Sequence, residues 1–292
     1  MEDINHDLER MLFQVTGLDH ELNDIGIQAG GCINMAVSCE TNHGKYFIKW
    51  NELSFKDMFE KEANGLTMLK KNCPLTIPEV VGQGAIEDKA FLVLDFLENG
   101  PDNSQYWTQL GEGLAALHLH KADHYGLEYD NHIGRLVQKN TQRKSWLEFF
   151  RDHRLNQQLG LAIYNEFVDQ AFVRDFKLFL NKLSDLLPES DASLLHGDLW
   201  SGNAMALWPQ GASIFDPAVY FGAREMDLAM TRLFGGFDPL FYEAYHSVYP
   251  IPSYFESLLE IYNLYPLMVH VNLFGPNAGY SRSVSQIIKR YL

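Results

Sequence analysis

Basic residues, cysteines and long apolar runs are all scarce in this chain, and each shortage removes a class of function. Of 292 residues only 23 are Lys or Arg against 38 Asp or Glu, a formal net charge of −15. Such a chain repels nucleic acid and anionic membrane surfaces unless a basic patch is segregated on one face, and no Lys/Arg-rich run provides one. Neither nucleic acid nor membrane is therefore an expected partner. A small molecule is, and an acidic protein suits one that carries positive charge. The three cysteines, Cys32, Cys39 and Cys73, form no C-x-x-C pair and no Cys/His cluster with zinc spacing, and an odd number does not suit a disulfide framework. A reducing compartment is expected. No apolar run approaches the length of a membrane span, and the opening MEDINHDLER is acidic and polar where a signal peptide would be basic and then apolar. These features lead us to expect a soluble cytoplasmic protein. Repeats and low-complexity segments are missing too, whereas 46% hydrophobic and 13% aromatic residues describe an ordered chain, long enough for two lobes with a core each.

The stretch Leu194 to Asn203, LLHGDLWSGN, sets Asp198 and Asn203 five residues apart. Metal-dependent phosphoryl transfer to a hydroxyl uses those residue types at that spacing. In the H-R-D-x-x-x-x-N loop of protein kinases the Asp accepts the proton of the attacking hydroxyl and the Asn holds Mg²⁺. Here the pattern reads His196, Gly197, Asp198, four residues, then Asn203. At Ile214 to Pro217, IFDP, two apolar residues run into Asp216 as a buried strand runs into a second metal-binding carboxylate. Singly these are turn residues, since Asp and Asn favour turns and D-P opens them. In order and at this spacing they describe an active site.

Upstream, Ile4, Leu8, Met11, Leu12 and Val15 repeat with a helical period. From Ile25 to Trp50, Gly30-Gly31, the alternating MAVSCE, His43-Gly44 and KYFIKW predict a Gly-rich hairpin and a third strand bearing Lys49. Phe59, Leu66 and Leu69 mark a helix over about 55–71, with Glu62 on its apolar stripe. A carboxylate on a buried face wants a cation. Lys49 is the candidate, because the third strand of a kinase carries the Lys that grips the α- and β-phosphates and pairs with a Glu on the following helix. Glu60, off the stripe, is second choice. IPEVVGQG and AFLVLDFL follow, the latter an apolar run suited to a buried strand that ends at Asp95 to Leu97, where a kinase hinge offers backbone groups to adenine. The stretch 98–103 is the candidate linker, which puts the lobes at 1–98 and 99–292. Beyond it Tyr106 to His120, Trp146 to Leu159 and 161–187 read as helices. After Asp216 the pattern is helical to the end, broken at Gly235-Gly236, Pro250 to Pro252 and Gly275-Pro276.

Taken together these residues resemble the fructosamine kinase (ketosamine-3-kinase) family, which shares its fold with aminoglycoside phosphotransferases and, more distantly, with protein kinases. The resemblance runs through GGCIN at Gly30, FIKWN at Phe47, MFEKEANGL at Met58, ALHLH at Ala116, WLEFFRDHRLNQQL at Trp146, LLHGDLWSGN at Leu194, FDPAVYFGAREMDLAM at Phe215, FGGF at Phe234 and NLFG at Asn272. HGDLWSGN with the downstream FGGF is its most specific part. It implies an α+β, protein-kinase-like fold, with a small N-lobe of antiparallel sheet plus helix and a larger, mainly helical C-lobe. It also implies ATP- and Mg²⁺-dependent phosphorylation of a sugar hydroxyl, typically the 3-hydroxyl of a free or protein-bound ketosamine. That modification makes the glycation adduct labile and regenerates the amine, a deglycation or repair activity. By motif, Asp198 would be the base, Asn203 and Asp216 the Mg²⁺ ligands, and Lys49 with Glu62 the phosphate clamp. Gly30, Gly31 and Cys32 would form the nucleotide loop, Asp95 and Leu97 the hinge, and Trp200 with His196 the substrate side, in a monomer or weak homodimer.

Departures from protein kinases narrow the reading. Gly197 stands where H-R-D has Arg, no A-P-E follows Asp216, and Pro217-Ala218 replaces Phe-Gly, so a phospho-regulated protein kinase is disfavoured. AGGCIN lacks the G-x-G-x-x-G form, although its amides can still cradle phosphate. A related aminoglycoside or choline kinase would share the Asp/Asn spacing but not LWSGN with FGGF. A pseudokinase would not be expected to keep Lys49, Asp198, Asn203 and Asp216 together. Cys32 is either a redox-sensitive thiol beside the phosphates or a small residue in a tight turn. His118, His120 and His153 lie in helical stretches and are expected to make structural hydrogen bonds.

Overall fold

The computed structural model of the chain describes residues 2–27 and 34–292. Gly30, Gly31 and Cys32 lie outside the described residues. The fold is α+β, and the chain divides into two compact units, Met1–Leu110 with Gly202–Pro217, and Gly111–Ser201 with Ala218–Leu292.

The first unit opens with α1 (Glu2–Thr16), then β1 (Leu22–Ile27), β2 (Met35–Thr41), β3 (Gly44–Glu52), α2 (Lys56–Asn72), β4 (Val80–Ile86) and β5 (Lys89–Asp95). The strands form an antiparallel sheet in the order β1-β2-β3-β5-β4. Period-two alternation decides what each face meets. Val37, Cys39, Ile48, Trp50, Phe91 and Val93 pack with Leu8, Met11 and Leu12 of α1. Lys49, between Ile48 and Trp50, is thereby turned away from α1. On α2, Phe59, Leu66 and Leu69 are buried, as their spacing predicts.

α3 (Ser104–His118) carries the chain across the division at Leu110. The second unit holds β6 (Lys121–Ala122) and the hairpin of β7 (Asn131–Ile133) with β8 (Leu136–Gln138). A continuous helical run follows, formed by α4 (Trp146–Phe149), a π-helical turn at Phe150–Asn156 and α5 (Gln157–Tyr164). The single helix expected over 161–187 is instead broken, because Asp169 caps a fresh start by accepting the Phe172 amide at 2.7 Å. It resolves into the end of α5, α6 (Gln170–Leu180) and α7 (Leu183–Leu186).

β9 (Ala192–Leu195) lies between β6 and the later β12 (Tyr220–Gly222) in a three-stranded sheet. Between them comes the hairpin of β10 (Ala204–Ala206) and β11 (Ala212–Ile214), which belongs to the first unit. It is held there by backbone hydrogen bonds from Thr76 to Ala212, from Gly100 to Ala206 and from Trp208 to Glu98. The segment after Asp216 is thus not helical throughout, since β12 precedes α8 (Glu225–Leu233), α9 (Pro239–Val248), α10 (Phe255–Phe274) and α11 (Tyr280–Lys289). α10 is buried along most of its length and packs on α5, α8 and α11.

Candidate active site

In the first unit the chemistry collects on the face of the sheet away from α1. The Lys49 ammonium donates to Glu62 Oε1 on α2 at 2.8 Å and also contacts Asp216 Oδ1. Sequence pattern alone chose Glu62 over Glu60, and the geometry agrees. Burial by itself would pull the Lys49 pKa down, but the charges of Asp216 and Glu62 more than offset it and hold the ammonium above the ordinary lysine value. Burial likewise pushes the Glu62 carboxyl up, against the pull of Lys49. One ammonium thus faces two carboxylates, and the surplus acid is Asp216, whose side chain is 38% exposed where Glu62 shows 12%.

The β10–β11 hairpin explains how Asn203 and Asp216 come together. Ala204 pairs with Ile214, and one step outward the Phe215 amide donates to Asn203 O at 3.1 Å, so Asn203 and Asp216 flank the base of one hairpin. Asp216 holds a left-handed φ of +57°, a conformation Asp tolerates better than most residues. Its carboxylate and the Asn203 amide oxygen are hard oxygen donors. Mg²⁺ is commonly held by one or two carboxylates together with substrate phosphates, so this donor set fits it. Among the described residues no cluster of three or more His, Cys, Asp or Glu side chains could hold a metal by itself.

In the second unit β9 delivers His196, Gly197 and Asp198. The Asp198 amide donates to His196 Nδ1 at 3.3 Å, and the buried His196 returns its carbonyl to the Ala218 amide at 2.9 Å. Asp227, buried in α8, holds the loop, since Oδ2 accepts the His196 amide at 2.7 Å and Oδ1 the Gly197 amide at 2.9 Å. His118 Nε2 meets the same carboxylate at 3.1 Å while its Nδ1 lies 2.8 Å from the Tyr245 hydroxyl. Burial would raise the Asp227 pKa, yet the His118 hydrogen bond and charge, His196 and the Gly197 amide reverse this and hold the carboxyl below its ordinary range. Sequence reasoning missed Asp227. Its signal was an acid set between Met226 and Leu228 in the apolar part of EMDLAM, where a carboxylate demands a buried partner.

Gly197 acquires a local explanation. Its φ is +84°, and a Cβ there would run into the Ala218 carbonyl, so an H-x-D loop threaded this closely against the start of β12 admits no side chain at that position. Trp200 meets the ring of Phe234 edge-on at 6.3 Å. Asp95 ends β5 with its amide donated to Glu79 O and its carboxylate accepting the Glu79 amide at 2.5 Å. Its N–H is therefore engaged within the sheet, and Leu97 lies beyond the strand, half-buried. Cys39 and Cys73 are buried, which pushes both thiols up to about 11 and leaves them unreactive near neutrality. Among the described residues no helix is long and apolar enough to cross a membrane.

Comparison with known proteins gives this geometry a family. The fructosamine kinase family profile matches residues 4–292. A probable ketoamine kinase of Synechocystis is 37% identical over 290 residues, covering 98% of this chain and 96% of its own. The chloroplastic protein-ribulosamine 3-kinase of Arabidopsis thaliana is 34% identical over 277 residues, covering 93% and 83%. Among solved structures, a protein from Haemophilus somnus assigned as a fructosamine-3-kinase superposes with a TM-score of 0.86 at 27% identity, covering 98% of this chain and 96% of its own. A match of this extent places the chain in the fructosamine kinase family.

Proposed function

We propose that this protein transfers the γ-phosphoryl group of ATP to a sugar hydroxyl of a ketosamine, the 3-hydroxyl, and so marks glycation adducts on amines for breakdown. The observation that carries the reading is the ordered set of Asp198, Asn203 and Asp216 together with the Lys49–Glu62–Asp216 cluster. Asp198 accepts the proton of the acceptor hydroxyl as that oxygen attacks phosphorus. Lys49, kept charged by its two acids, grips phosphate oxygens, and Glu62 fixes its direction. Asn203 and Asp216 would hold Mg²⁺, which would supply charge neutralisation to the phosphates. Under this proposal Gly30, Gly31 and Cys32 bind the nucleotide, the Asp95–Leu97 segment offers backbone to adenine, and His196 and Trp200 border the sugar. In this reading 1–98 is the ATP-binding lobe and 99–292 the catalytic and substrate-binding lobe, of a cytoplasmic protein acting as a monomer or weak homodimer. The names of the Synechocystis and Arabidopsis relatives support the substrate class.

The test is ADP release with fructosyl-, ribulosyl- and erythrulosyl-lysine beside an aminoglycoside panel. Turnover of at least one ketosamine and none of the aminoglycosides is expected; the reverse pattern would overturn the substrate assignment. Asp198→Asn should lower kcat by about a thousandfold with ATP affinity unchanged. Near-normal turnover in that variant would remove Asp198 as the base.

A further inference from the structure

The second unit carries an aromatic row that stays partly uncovered at the edge of the packing of α10 on α8 and α11. Phe234, at the end of α8, lies 4.7 Å from His270 on α10, ring to ring. His270 in turn lies 5.4 Å from Phe274 and 4.9 Å from Tyr280, and those two are 6.1 Å apart. The row starts beside Trp200, two residues past Asp198 in the chain. Aromatic clusters that serve the core here are fully covered, as Trp146, Phe149 and Phe150 are. Phe234, His270 and Tyr280 are half-buried, and Phe274 shows 44% of its surface. The packing of α10 on α8 and α11 brings these rings together at its edge, where ring surface is left available to a ligand.

The row is rich in π surface and carries no ionised side chain of its own. The His270 ring Nδ1 is bonded to the Pro266 carbonyl at 2.7 Å, and burial holds the imidazole below the ordinary histidine range, so it contributes a neutral ring near pH 7. Arg135, beside the row, donates to the Leu273 carbonyl at 3.0 Å. Gly235 and Gly236, both at positive φ with open space around them, turn the chain directly after Phe234. Neutral aromatic faces recognise cations through the ring quadrupole and pack alkyl chains by contact. A ketosamine presents both features, a secondary amine that is protonated near neutrality and, when the amine comes from lysine, a four-carbon chain.

We propose that the row from Phe234 through His270 to Phe274 and Tyr280 receives the amine-bearing part of the acceptor, so that adducts on lysine within a peptide are bound better than adducts on a small amine. This rests on the ketosamine reading above. Sugar specificity stays with the Asp198–Trp200 end, and the row selects what the sugar is attached to.

The experiment compares a fructosylated lysine peptide with the fructose adduct of methylamine in the full-length protein, by steady-state kinetics and by calorimetric binding without ATP. Phe274→Ala and Tyr280→Ala should raise KM and Kd for the peptide about tenfold and leave kcat unchanged, with a severalfold smaller rise for the methylamine adduct, which keeps the protonated amine but lacks the alkyl chain. Tyr280→Phe should restore peptide binding. Equal effects on the two adducts, or none on either, would overturn the proposal. If the wild type binds the peptide but phosphorylates neither adduct, the kinase reading fails; loss of that binding in Tyr280→Ala would still uphold the row, and its retention would sink it.

Discussion

Two acids drawn largely out of water, Glu62 in the first unit and Asp227 in the second, solve the same problem of desolvation in opposite ways. Glu62 is balanced by a side-chain cation, Lys49, which is shared with the more exposed Asp216. Asp227, 1% exposed, is balanced by two backbone amides and an imidazole, with no lysine or arginine paired to it among the described residues. The first arrangement leaves a carboxylate over and opens toward solvent, which suits a site that must take up a cation and release it. The second is closed and fixes the backbone from which Asp198 projects. A charge held for chemistry is left incompletely neutralised, whereas a charge held for architecture is satisfied from several sides.

That contrast can be broken by substitution. Lys49→Met should lower kcat/KM by about 10²–10³-fold, about 3–4 kcal/mol of transition-state stabilisation. Its effect on stability should be smaller than that of Asp227→Asn, because Asp216 can regain water and Glu62 can take up a proton. If urea melts rank the two variants the other way, the division between chemical and architectural charge is wrong.

Asp227→Asn should cost about 3 kcal/mol of unfolding free energy, since His118 and a loop amide lose an ionised acceptor. The sign of its pH dependence follows from the depressed carboxyl. Its contribution is present above the unfolded carboxylate pKa of about 4 and is lost as pH falls through the lower folded value. The stability gap between wild type and Asp227→Asn should therefore be flat from about pH 5 upward and close below about pH 4. Lys49 runs the other way: its raised pKa keeps its contribution intact below about 10.4, to be lost only as pH rises further.

Gly197→Ala should destabilise by about 2 kcal/mol through left-handed strain and the clash with Ala218, with a parallel loss of activity as the loop shifts. Gly235→Ala, at positive φ but in open space, should cost only about 1 kcal/mol. Thermal melts of the pair separate backbone strain from steric exclusion, and equal losses would show that the Ala218 contact is unimportant.

Much of this was legible in the chain. The alternation of KYFIKW turned Lys49 away from Ile48 and Trp50, and the 3–4 spacing of Phe59, Glu62 and Leu66 put an acid on a buried helical face; both are local periodicities that survive folding. The break after Tyr164 was not legible from the apolar pattern, because a single capping contact at Asp169 decided it. Nor was the role of Asp227, whose partners lie just past β9 and at the end of α3, far off in sequence. Gly197 was read as the loss of an arginine, and only the approach of Ala218 shows that no side chain fits.

The residue types and the spacing of Asp198, Asn203 and Asp216 follow from the chain alone, because covalent order fixes them whatever else happens. Which unit each joins is decided by tertiary hydrogen bonding. Thr76, Glu98 and Gly100 bind the β10–β11 hairpin into the first unit and carry Asn203 and Asp216 with it, while β12 and Asp227 keep Asp198 in the second. Backbone amides and carbonyls are the same at every residue, so their choice of partner leaves no mark in composition or periodicity and is settled only when the strands meet.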